Sequence, residues 1–203
     1  MNEKLSRTLE ALNRRGFHAQ GFATAAQMRQ AALALVKPGQ SVGFGGSVTV
    51  QDLGIYEELC RQGHPVHWHW HADAAARKQT LLDAFLADVY FMSANALTET
   101  GRLWNIDGNG NRLACLLSGP ETVIMLLGSN KLVPDDEAAL RRIKTIACPQ
   151  NARRLGLKTP CAAQDACFDC AVGDRMCQFT LLTEHPPKGR AFHVLIADEP
   201  LGY

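Results

Sequence analysis

A chain of 203 residues with 46% hydrophobic and 20% charged residues has the length and composition of a globular protein with a full core, and not those of a disordered or fibrous one. Its formal charge of +1 at pH 7 excludes the strong basic footprint of a nucleic-acid or anionic-membrane binder. The strongest apolar run, Val123 to Leu127, is too short to span a bilayer, and the charged start Met-Asn-Glu-Lys-Leu-Ser-Arg does not read as a signal peptide, so the expectation is a soluble, cytoplasmic protein.

Leu5, Leu9 and Leu12 recur at helical spacing and predict an amphipathic helix over 3–14, ending near Gly16. Thr24 with Gln27 forms a capping-box pattern ahead of Met28, Ala31, Ala32 and Leu35, and Lys37-Pro38-Gly39 breaks that second helix. Ser41 to Phe44 reads as a short buried strand that runs into Gly45-Gly46-Ser47 and a helix through Leu53, Tyr56 and Leu59. Pro65 to Trp70 then predicts a strand, Ala74 to Phe85 a helix, Val89 to Met92 a strand and Leu103 to Ile106 another, followed by a turn at Asp107-Gly108-Asn109-Gly110. Val123 to Leu127 is the most apolar strand, and Asp135 to Arg154 is a helix with Pro134 near its start. Strands alternating with helices argue for a mainly parallel sheet covered on both faces. Gln178 to Thr183 and Ala191 to Ile196, joined by His185-Pro186-Pro187-Lys188-Gly189, read as an edge β-hairpin at the C-terminal end.

Three polar segments follow predicted central strands: Gly43-Phe44-Gly45-Gly46-Ser47, the stretch from Ser93 to Gly101, and Gly128-Ser129-Asn130-Lys131. In open α/β sheets ligands bind at the carboxyl edge, where loops vary over a rigid scaffold. The glycine segment could cradle an anion on backbone N–H groups, or serve only as a tight strand–helix turn. It is neither a dinucleotide fingerprint, since Val48 stands where the third glycine would be, nor a Walker motif. Glu99, between Thr98 and Thr100, has the chemistry of a base, a nucleophile or a hydroxyl-binding group, and equally that of a cap. Lys131 beside Asn130 could neutralise a phosphate or carboxylate, or simply be solvated. His67, His69 and His71 alternate with tryptophans, so a strand would align three imidazoles on one face; a polar strand end is preferred there over a metal site.

Seven cysteines are many for this length. In a reducing compartment they favour ligands or redox thiols over disulfides. Four of them follow the pattern Cys161-x5-Cys167-x2-Cys170-x6-Cys177, with Cys148 thirteen residues upstream. Four thiolates suit zinc or an iron–sulfur cluster, but the spacing matches neither a paired zinc knuckle nor the ferredoxin run, and packed free thiols are the alternative.

The stretches Ala96-Leu97-Thr98-Glu99-Thr100-Gly101 and Asn105 to Arg112, then Gly119-Pro120, Gly128 to Val133 and Pro149 to Leu155, resemble the signature of the LUD (lactate utilisation) domain family. The tail from Thr159-Pro160-Cys161 through Cys170 to Cys177 resembles the cysteine-rich end of its stand-alone members. The resemblance implies a three-layer α/β sandwich similar to ribose-5-phosphate isomerase and CoA-transferase-like proteins, spanning 1–203 as a single domain with 159–177 as a cysteine-rich segment. It also implies a link to bacterial lactate utilisation, where such proteins accompany iron–sulfur and oxidoreductase subunits.

The expected function is a component of lactate (2-hydroxy acid) oxidation that handles electrons through an iron–sulfur cluster on Cys161, Cys167, Cys170 and Cys177. The alternative is a binding or group-transfer enzyme for a phosphate- or CoA-like ligand, with those cysteines holding structural zinc; a non-catalytic accessory subunit is a third reading. From the strand-edge segments, the candidate catalytic residues are Glu99 and Lys131, and the candidate ligand-binding residues Gly43, Gly45, Gly46, Ser47, Thr98, Thr100, Gly101 and Asn130; by analogy with the superfamily, Gly45-Gly46-Ser47 and Glu99 fall where ligand-binding loops lie. Expected partners are a small-molecule substrate and oxidoreductase or iron–sulfur subunits, not nucleic acid or membrane; a homo-oligomer is compatible with the chain.

Overall fold

The computed structural model describes residues 3–203; Met1 and Asn2, at the start of the charged N-terminal stretch, lie outside the described residues. Its centre is a six-stranded sheet built from β1 (His18–Phe22), β2 (Val42–Phe44), β3 (Val66–Trp68), β4 (Val89–Met92), β7 (Thr122–Gly128) and β10 (Ala191–Ala197). The order is β1-β10-β7-β4-β2-β3 and every pairing is parallel.

Side-chain alternation along the central strands divides the core in two. Val123, Met125 and Leu127 of β7 face one side, together with Phe192, Val194 and Ile196 of β10 and Tyr90 and Met92 of β4. They pack on Leu5, Leu9 and Leu12 of α1 (Glu3–Arg14) and on Leu113 and Leu116 of α6 (Asn111–Ser118). Ile124, Leu126, Leu195 and Phe91 face the other side, against α2 (Ala25–Ala34), α3 (Val48–Asp52) and α4 (Ile55–Arg61). The helix predicted after the glycine segment is thus two short helices, broken where Gly54 adopts φ +60°. α5 (Arg77–Leu86) lies directly on β2: a Cβ at Gly43 would stand 2.4 Å from the Ala84 carbonyl oxygen. Gly43 therefore serves close packing.

A second sheet, in the order β8-β5-β6-β9, joins β5 (Ala96–Thr98), β6 (Leu103–Asp107), β8 (Leu132–Val133) and β9 (Phe179–Thr183). One face, with Leu97 and Leu103, closes the first core. The other, with Ala96 and Ile106, packs on Ala139, Ile143 and Cys148. Those residues belong to the helix predicted over 135–154, which runs as α7 (Asp136–Arg142), a π-helical turn (Ile143–Ala147) and α8 (Cys148–Arg154). The wider turn lets Pro149 sit early in α8 without breaking the chain. α9 (Pro160–Gln164) opens the cysteine-rich segment.

Three expectations are corrected. The C-terminal hairpin does not form: β9 joins the small sheet against β6, while β10 lies between β1 and β7. The reason is burial, since Phe192, Val194 and Ile196 are covered on one face of β10 and Leu195 and Ala197 on the other, the environment of a central strand rather than an edge. The stretch from Ala96 to Thr98, read as loop, is strand β5. The three histidines share no face, because β3 ends at Trp68. His67 turns toward Asp83 at 3.9 Å, His71 stacks on Tyr56 at 4.1 Å between ring centroids, and His69 is buried.

Candidate functional site

A cavity of about 570 Å³ opens at the carboxyl edge of the parallel sheet. Gly46 and Ser47 reach it from the end of β2, His69 and Trp70 from β3, Ser93 to Asn95 from β4, and Lys131 from the turn after β7. Asp107 and Arg112 approach from the small sheet and α6, and Cys148, Asn151 and Arg154 from the π-turn and α8. Residues Gly173 to Met176 of the cysteine-rich segment form a further wall.

Lys131 is the most unusual side chain of this floor. It is 3% exposed, and its ammonium donates to Thr49 Oγ1 at 3.0 Å and Ser93 Oγ at 2.9 Å. Neither partner carries charge, and no carboxylate pairs with Lys131 among the described residues. Burial, with Arg142 and Arg112 nearby adding repulsion, brings its pKa down to about 7. Arg142 itself is held by the carbonyls of Asn130 (3.0 Å) and Asn95 (2.6 Å), which fixes the turn that delivers Lys131.

His69 is the second unusual group: 7% exposed, it lines the cavity, and its Nδ1 has no hydrogen-bond partner among the described residues. Desolvation, aided by Arg77 and Arg112 and opposed by Asp107, keeps the ring neutral with a pKa of about 4. Asp107 pairs with Arg112 at 3.3 Å and accepts the Arg112 backbone N–H at 3.1 Å, while the Arg112 guanidinium also donates to the Ile106 carbonyl. Arg154 lies over the Trp70 ring at 4.6 Å and donates to the Tyr203 hydroxyl at 3.0 Å.

The structure brings together only part of the expected site. Lys131, Gly46 and Ser47 line the cavity; Gly45 lies just behind it, its Cα hydrogens facing Arg112 and the Tyr90 hydroxyl. Ser47 caps α3 through Val50 N at 3.3 Å, but this five-residue helix supplies little dipole, so the positive charge comes from side chains. Glu99 is elsewhere, ion-paired with Lys4 (3.4 Å) and Arg7 (3.5 Å) of α1. Thr98, Thr100 and Gly101 form the β5–β6 turn: the two hydroxyls are 2.8 Å apart, and Gly101 (φ +78°) packs on the α1 backbone. Asn130 anchors the chain end, accepting from Leu201 N at 3.0 Å and donating to the Gly202 carbonyl at 3.2 Å, which carries Tyr203 to the cavity rim. His69, Arg77, Arg112, Arg154 and Tyr203 were missed as site residues; His69 stands at a predicted strand's carboxyl end and Arg112 and Arg154 lie within the signature stretches, while Arg77 and Tyr203 carried no signal.

All seven cysteines are free thiols. Cys161 sits on α9 with its sulfur 3.2 Å from Thr159 Oγ1, Cys167 is exposed, and Cys170 and Cys177 are half-buried. Cys177 packs against Cys148, which is 3% exposed and whose thiol is pushed up to about 12 by burial, with Cys177, Cys161 and Cys167 adding to the shift. Among the described residues, no three or more His, Cys, Asp or Glu side chains are grouped as a metal site. No helix among the described residues is long and apolar enough to cross a membrane.

The chain is thus a parallel α/β protein with a polar, cation-lined cavity at its strand ends. The profile of the LUD domain matches residues 5–197, and the chain belongs to the LUD domain family. Among solved structures it is similar to a DUF162 family protein from Deinococcus radiodurans, with a TM-score of 0.57 and 13% identity over 96% of each chain, a likeness of fold. No curated protein matches it.

Proposed function

We propose that this protein is a component of lactate or related 2-hydroxy acid utilisation, and that its strand-edge cavity binds the small carboxylate through Lys131. The observation that carries the reading is a lysine 97% out of solvent, bonded only to two hydroxyls, on the floor of a cavity. An ammonium buried without a counter-ion is costly, and a bound carboxylate removes that cost. Thr49 and Ser93 fix the amine in position.

Thermal unfolding with a series of short 2-hydroxy acids tests the reading, since a ligand that binds only the folded state raises the melting temperature by mass action. L-lactate or a homologue should stabilise the wild type and not Lys131→Met. Equal behaviour of the two proteins would remove Lys131 from the site.

Electron handling through the thiols is a second reading, favoured by one observation: Cys148 and the segment that carries Cys170 and Cys177 both border the cavity. An iron–sulfur cluster, with zinc as the alternative, would need the thiols to draw together from their present positions, and no step is assigned to it. Protein purified without oxygen should then contain iron and acid-labile sulfide. Colourless, metal-free protein with all seven thiols titratable would remove this reading.

A further inference from the structure

The cavity is larger and more cationic than a three-carbon hydroxy acid requires. At about 570 Å³ it lies in the range of sites that enclose metabolite- or cofactor-sized ligands, roughly 300–1,000 Å³. Five basic side chains line it, Arg77, Arg112, Lys131, Arg154 and Arg175, against two carboxylates, Asp107 and Asp174. Both carboxylates are engaged, Asp107 by Arg112 and Asp174 by the Lys158 backbone N–H at 2.8 Å. Arg154 and Arg175 also have partners, in Trp70 with Tyr203 and in Asp169. Two cations have no carboxylate partner among the described residues: Lys131, held only by two hydroxyls, and Arg77, whose side chain makes no ion pair or hydrogen bond there.

Arg77 is near His69, and Arg112 is near both His69 and Lys131, so the positive groups run across the cavity from Lys131 through Arg112 to the His69–Arg77 corner. That corner holds a buried imidazole with an unsatisfied nitrogen, a free guanidinium and a second guanidinium. Such a set offers several N–H donors to one multivalent anion, the arrangement a phosphate fills best.

We propose that the ligand of this cavity carries two anionic groups, a carboxylate held at Lys131 and a phosphate held by His69, Arg77 and Arg112. The substrate class is then a phosphorylated small hydroxy acid. The proposal rests on the Lys131 reading above and adds a second subsite to it.

Calorimetric titration with L-lactate, inorganic phosphate and 2-phospholactate separates the two subsites. The wild type should bind 2-phospholactate at least tenfold more tightly than L-lactate. Arg77→Ala, at an exposed position where folding is not at risk, should lose at least tenfold in 2-phospholactate affinity and keep its L-lactate affinity within twofold. Lys131→Met should weaken both acids at least tenfold and leave inorganic phosphate within twofold. If Arg77→Ala binds 2-phospholactate as tightly as the wild type, or phosphorylation adds no affinity, the second subsite is overturned while the Lys131 reading stands. If Lys131→Met binds both acids unchanged, the Lys131 reading fails with it. His69→Gln gives a second test of the phosphate corner and should weaken 2-phospholactate and inorganic phosphate alone.

Discussion

At the scale of the residue, the central fact is the cost of Lys131. Its pKa is about 7 in the folded protein against 10.5 for an ordinary lysine, so between these values the unfolded chain binds more protons than the folded one. Stability therefore rises with pH across that window, by up to about 1.4 kcal/mol per pH unit for one proton. The penalty is fully present below pH 7 and vanishes above the ordinary lysine range. The groups that face the amine are Thr49 and Ser93 as acceptors and Arg112 and Arg142 as like charges. Lys131→Met should consequently be more stable than the wild type at pH 6, with the gap narrower at pH 9, in urea unfolding at the two pH values. A gap of constant size would show that Lys131 does not titrate in this window. Lys131 was legible in the sequence because it follows the most apolar strand. Glu99 was misplaced because a carboxylate near a strand end looks the same in sequence whether its strand belongs to the large sheet or to the small one, where it pairs with Lys4 and Arg7. Arg77, Arg112 and Arg154 lie on three separate helices, and only tertiary folding brings them to one cavity.

At the scale of the element, glycine decides two close approaches. A Cβ at Gly43 would meet the Ala84 backbone at 2.4 Å, and one at Gly128 the Leu201 nitrogen at 2.3 Å. Neither neighbour is the end of a flexible side chain, so the elements themselves must move. Gly43→Ala should cost about 2–3 kcal/mol of unfolding free energy, measured by denaturant titration, as α5 is forced off β2. A loss below 0.5 kcal/mol, roughly the range of neutral surface changes, would mean that α5 does not lie directly on the strand. The periodic helices and apolar strands were readable from local pattern, as the capping box at Thr24 and Gln27 confirms with reciprocal bonds of 3.3 Å. The partner of each strand was not. β9 and β10 are neighbours in sequence, and the proline-rich link between them reads as a turn. Their pairing was set by non-local burial, which local pattern does not encode.

At the scale of the whole molecule, one architecture accounts for both the stability and the site. A parallel sheet buried on both faces holds four strand ends fixed, and the loops that leave them converge on the cavity. The small sheet and the π-turned helix close it from the side, the cysteine-rich segment walls it, and Tyr203 bonds Asn151 at 2.6 Å at its rim. The position of the site was legible from the sequence as the carboxyl edge of the sheet. Its electrostatics were not, because the charge is supplied by side chains from distant elements rather than by the glycine segment.

The most direct test of the account is the proton balance of anion binding. A carboxylate bound against Lys131 raises the amine's pKa from about 7, so binding above neutrality must draw a proton from solution. Calorimetric titration of L-lactate at pH 8, repeated in buffers of different ionisation enthalpy, measures that uptake. The account predicts an uptake approaching one proton per ligand in the wild type and none in Lys131→Met. Binding to the wild type with no proton uptake would contradict it.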